Sequence, residues 1–127
     1  MAQLPLNVFK TKTQLLTTAT SATVYTAPIG VTSIILMAQI ANITTATHTT
    51  NFVHHRRLPV LQDAQGNGAQ AADVDSFLLK NFGVPPDDAA SPLSGKMIIE
   101  SLDSIRAYAS SENSLQLVLS ILETANS

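Results

Sequence analysis

From Ser114 to Glu123 the pattern alternates, with the aliphatic Leu115, Leu117, Leu119 and Ile121 on one side and Gln116, Val118 and Ser120 on the other. A period of two predicts a strand with one face in a core. Ser104 to Ala109 repeats the pattern through Ile105, Ala107 and Ala109, and Ser110-Ser111-Glu112-Asn113 supplies the turn between the two strands. The run Thr32 to Thr44 is different, because it is apolar almost throughout. Read as one regular strand, it places Ile34, Leu36, Ala38, Ile40 and Asn42 on one face and Ile35, Met37, Gln39, Ala41 and Ile43 on the other. Two apolar faces predict a strand that is either central in a sandwich and covered on its outside or in contact with another subunit. Leu, Met, Ala and Gln would also suit a helix. The abundance of Ile and Thr, continued by the β-prone stretch Thr44 to Thr50, favours the strand.

The rest of the chain reads in the same way. Val8 to Leu16 is β-prone and free of Gly and Pro, and Ser21 to Thr26 is a short strand closed by a Pro28-Ile29-Gly30 turn. Asn51 to Leu58 is a return strand, with Phe52, His54 and Arg56 facing one way and Val53, His55 and Arg57 the other. The polar stretch Gln62 to Ala72, bearing Gly66-Asn67-Gly68, predicts a mobile surface excursion. Ser76 to Phe82 resumes the sheet until Pro85-Pro86 removes two ladder donors, and Lys96 to Glu100 is one more short strand. About eight short strands without a long helix predict an all-β fold, an antiparallel β-sandwich of jelly-roll type. The expected organisation is an extended N-terminal arm and first strand over residues 1–20, then a single sandwich over 21–127 with a flexible loop at about 59–75.

Composition sharpens this picture. A chain of 127 residues is one domain by length, and 13% charged residues is about half the usual share. A net charge of −2 gives no broad field to attract nucleic acid or anionic lipid, so neither is expected as a partner. No apolar run reaches a membrane span and the first residues lack the charged and apolar regions of a secretion signal, so synthesis and use in a cytoplasm are expected. Cys is absent, which removes disulfides and thiolate metal sites.

Candidate chemistry is sparse. His54 and His55 are adjacent and so point to opposite faces of a strand, while His48 lies about 20 Å from His54 along an extended chain. His54-His55-Arg56-Arg57 is the one dense basic patch; it suits a partner's carboxylates or a phosphate, or simply a solvated strand end. Asp87-Asp88 after two prolines suits a turn capping its own backbone, with a weak Ca²⁺ site as the alternative. No phosphate-binding glycine loop, nucleophile elbow or facing carboxylate pair is recognisable. With no Trp, two Tyr and four Phe, a sugar-stacking platform is poorly supplied. The expectation is a protein that is not an enzyme and takes no cofactor.

The order "VYTAPIG", "IILMAQIAN", "FGVPPDDAASPLSGKMIIESLDSIRAYAS" and "SLQLVLSILE" resembles small β-sandwich virion proteins of tailed bacteriophages, particularly cyanophages. The resemblance covers residues 23 to 125 apart from the loop at 59 to 75. It implies a non-enzymatic virion component present in many copies, with no catalytic residues. Within that class the expectation is a capsid decoration (cement) protein, with a neck, tail or baseplate component as the alternative. A carbohydrate- or cell-surface-binding module is the reading from another class. The expected partners are the chain itself, as a homo-oligomer of trimer type, and a major capsid protein. The side chains expected at such interfaces are Phe9, Leu15, Ile35, Met37, Phe52, His54, Arg56, Arg57, Val118 and Leu122.

Overall fold

The computed structural model describes residues 7–56, 60–62, 68–70 and 73–125. These form strands only: β1 (Asn7–Leu15), β2 (Thr23–Thr26), β3 (Val31–Asn42), β4 (His48–Arg56), β5 (Val60–Gln62), β6 (Gly68–Gln70), β7 (Val74–Val84), β8 (Ala89–Ala90), β9 (Met97–Ile99), β10 (Ser104–Ala109) and β11 (Leu115–Ala125). One antiparallel sheet, sheet A, runs β1-β11-β3, with β8 and β9 both pairing the far side of β3. The other, sheet B, runs β2-β10-β4-β7. Apart from the passages from β4 to β7 and from β8 to β9, every connection between strands of these sheets crosses from one sheet to the other. Of the arm expected over residues 1–20, residues 7–15 are an edge strand paired along its whole length with β11. Residues 1–6 lie outside the described part.

The alternating strands behave as their period predicts. Leu115, Leu117, Leu119 and Ile121 of β11 are buried, as are Ile105, Ala107 and Ala109 of β10. They meet in one core with Ile40 of β3, Phe52 of β4, Val84 of β7, Ile99 of β9 and Val24 of β2, so the two sheets enclose a single apolar layer. The turn after β2 also follows the sequence. Val31 N–H donates to Pro28 O at 3.1 Å, and Gly30 at the third position has φ +74°, a left-handed conformation that glycine adopts without strain.

β3 departs from its regular reading. Met37 pairs with Ser120 but Ile35 with Ile121, so Leu36 is an extra residue forming a bulge. The bulge reverses parity within the strand: Ser33 and Ile35 point inward before it, Ala38, Ile40 and Asn42 after it. This corrects the expectation for Ile35, which is fully buried in the core and cannot meet a partner subunit. Phe52 is corrected likewise. It points inward from β4 and is fully buried among the core residues of both sheets.

The β-prone stretch expected to continue from Thr44 to Thr50 instead turns, and strand resumes at His48. The cause is Asn42, buried where β3 ends. Its Nδ2 donates to Ala46 O at 2.7 Å and to Val84 O at 2.8 Å, and its Oδ1 accepts from Thr44 N–H at 2.8 Å. The amide thus supplies the turn with the partners a strand would otherwise give it. In the excursion expected at 59–75, β5 and β6 pair as a two-stranded ribbon, and β7 begins at Val74. The remaining residues of that stretch, and Arg57 before it, lie outside the described part.

Candidate interaction surface

The described residues of the basic patch at the end of β4, His54 to Arg56, are paired within the chain. His54 faces inward, with Nε2 3.5 Å from Asp103 Oδ2. Arg56 Nε lies 3.6 Å from the same oxygen, and Arg56 Nη2 donates to Glu100 Oε2 at 2.8 Å. His55 faces the opposite side, its Nδ1 against Asp75 and its Nε2 3.2 Å from Asp73 Oδ2. The carboxylates expected from a partner are therefore the chain's own: Glu100 and Asp103 of the β9–β10 turn for His54 and Arg56, and Asp73 and Asp75 at the start of β7 for His55. The His55 pairs tie the end of β4 to the start of β7, and the His54 and Arg56 pairs tie it to the β9–β10 turn.

A second polar network lies between the sheets. Tyr25 Oη on β2 donates to Glu123 Oε2 at 2.5 Å and lies 2.7 Å from Ser33 Oγ, and Lys10 Nζ reaches Glu123 Oε1 at 3.0 Å. Burial, followed by the hydrogen bond to a carboxylate, pushes the Tyr25 hydroxyl well above the usual phenol range. For Glu123 burial alone would raise the carboxyl, but the Tyr25 hydrogen bond, the Lys10 hydrogen bond and the Lys10 charge together hold it below its ordinary value. A carboxylate whose folded pKa is depressed stabilises the fold above its unfolded pKa, and that contribution is lost as pH falls through the folded value. The Glu123→Gln variant is therefore expected to be less stable than the parent by about 1–2 kcal/mol at pH 7. The gap should shrink below about pH 4.5. Urea unfolding at pH 7 and pH 3.5 measures it, and a gap that widens in acid would contradict the network.

Asp87 and Asp88 form a turn. Asp87 has φ +58°, and Asp88 Oδ1 accepts the Ala89 N–H at 2.7 Å. Among the described residues no group of three or more His, Asp or Glu side chains is gathered as a metal site. A cleft of about 350 Å³ opens where β8 and β9 leave the middle of β3 uncovered, lined by Leu36, Met37, Leu93, Gly95 and Lys96 among others.

The most distinctive surface is the outer face of sheet A. Its strands carry only three charged residues, Lys10, Lys12 and Glu123. All three share parity with inward positions: Lys10 pairs with the buried Ile121, Lys12 with the buried Leu119, and Glu123 is itself buried. The outer face of β1, β11, β3 and β9 consequently presents no charge among the described residues. It presents Thr11, Thr13, Gln116, Ser120 and Gln39, and across them an apolar row. Phe9 pairs with Leu122, Leu122 with Ile34, and Ile34 with Ile98, so one line of large side chains crosses four strands. Phe9 is 73% exposed and Ile98 62%, with Leu15 and Met37 also exposed on the same face. Lys96 and Glu100, just outside β9, stand at the border.

Of the expected interface residues, Phe9, Leu15, Met37, Val118 and Leu122 lie on this face. Ile35, Phe52, His54 and Arg56 do not. Ile34 and Ile98 are the members that the sequence pattern missed. Each sits in a run of consecutive apolar residues, where period alone does not say which one points outward. No protein-family model, curated protein or solved structure matches the chain.

Proposed function

We propose that the chain is a non-enzymatic structural protein of a tailed-phage virion, acting as a capsid decoration protein that stabilises the head shell through subunit contacts. The observation that carries this reading is the charge-free outer face of sheet A with its four-strand apolar row. Lone exposed apolar residues are ordinary on a soluble protein, but a contiguous row within a face lacking charge has the composition of an interface core. The strand order supports a jelly roll. β1-β11-β3-β8/β9 opposes β2-β10-β4-β7, and the chain crosses between them in the manner of two interleaved Greek keys. That architecture serves viral shells among other roles, so it agrees with the reading without specifying it.

The test is the protein content of purified particles. The chain is expected in them at a copy number set by repeated positions on the head, and particle imaging should place sheet A's outer face under protein density. A copy number matching one ring at the neck or tail would move the chain to that alternative. Absence from particles would end the virion reading.

A further inference from the structure

We infer that the outer face of sheet A pairs with the same face of a second copy of this chain, making a two-fold, face-to-face dimer. The inference rests on the reading that this face is covered in use, and it names what covers it.

Three observations select a second copy. The first is charge. In a two-fold contact each patch meets itself, so residues near the axis approach their own counterparts. A charge there would face a like charge. The strands of sheet A direct Lys10, Lys12 and Glu123 to the inner side and leave the outer side neutral, as self-pairing requires. A distinct, charged partner surface would instead call for complementary charges, and here Lys96 and Glu100 occur only at the border. The second is shape. Phe9, Leu122, Ile34 and Ile98 form a straight row across the sheet, flanked by short Thr and Ser side chains. Two such faces pack as sheets do in a sandwich, at about 10 Å separation and about 30°. The third is area. β1, β11, β3 and β9 contribute 9, 11, 12 and 3 residues, which at about 3.3 Å per residue and about 4.8 Å between strands span roughly 550 Å² in projection. Side-chain relief brings this toward the roughly 600–800 Å² that each member of a stable pair buries.

The pairing also gives the assembly a basic unit with even symmetry. A face packed on its own copy about a two-fold axis closes as a pair, whereas the trimer expected from the sequence needs two different patches on each subunit.

The test is the oligomeric state of the purified full-length chain, followed by light scattering and sedimentation velocity over a range of concentrations. The parent is expected to be a dimer. Phe9→Lys combined with Ile98→Lys places like charges in the row at two exposed positions, where no core packing is disturbed. It should weaken association at least about 30-fold with an unchanged circular dichroism spectrum and melting behaviour measured on dilute monomer. Lys12→Gln, on the inner side of the same edge strand, should leave the dimer intact. A parent that stays monomeric at high concentration, a trimer, or a dimer that survives the double substitution would overturn the inference. A monomeric chain found in virions would overturn it while leaving the virion reading in place. A dimer dissolved by the substitutions in a chain absent from virions would do the reverse.

Discussion

Phe52→Ala is expected to lower the stability of the fold by about 3–5 kcal/mol, because it removes a fully buried aromatic side chain and leaves a cavity that both sheets must close. Domains of this size are stable by about 5–15 kcal/mol, so the variant should be near the edge of folding, its melting temperature lower by on the order of 15 °C. Phe9→Ala is the informative comparison. It removes the same side chain from a position 73% exposed on the outer face of sheet A. It should cost less than about 1 kcal/mol, the scale of its cross-strand contact with Leu122. Urea unfolding at low protein concentration measures both without a contribution from association. Equal costs at the two positions would mean that Phe9 is part of the core, and the outer face as described would be wrong. The expected contrast separates apolar residues that hold the fold together from those left on the surface for contact with something outside it.

The sequence made parts of this legible for physical reasons. β10 and β11 were readable because each has one wet and one dry face, so alternation reports directly on burial. The turn at Pro28 to Gly30 was readable because a left-handed third position calls for glycine. β3 misled for the opposite reason. With apolar residues on both faces, its pattern carries no phase, and nothing in Ile35-Leu36-Met37 marks Leu36 as the bulged residue. The consequence was local but decisive for the site, since it exchanged Ile35 for Ile34 on the outer face. The apolar row is a property of register. Phe9, Ile34, Ile98 and Leu122 are spread over more than a hundred residues of chain, and only strand pairing brings them into line. The basic patch was visible in the sequence, but its partners were not. Asp73, Asp75, Glu100 and Asp103 arrive from separate connections, and a count of charges does not reveal that they are used internally.

Asn42 bears on how the two sheets are joined, and its replacement should produce the other large effect. The Asn42→Ala variant leaves Ala46 O, Val84 O and Thr44 N–H without the partner they have in the parent. Exposing or stranding such groups costs about 1–3 kcal/mol each, less than additively once water enters, so a loss of about 3 kcal/mol is expected. The Asn42→Asp variant tests the assignment of the amide more sharply. It keeps the size and the acceptor for Thr44, but turns a carboxylate oxygen toward two carbonyls that need donors. At pH 7 it should therefore be at least as destabilised as Asn42→Ala. Its deficit should diminish as pH falls, because a protonated carboxyl can donate to one of the two carbonyls. Thermal melts of the three proteins at pH 7 and pH 4 provide the measurement. If Asn42→Asp matched the parent at pH 7, the amide would not be donating to Ala46 and Val84. The passage from β3 in one sheet to β4 in the other, and its tie to the end of β7, would then need a different cause.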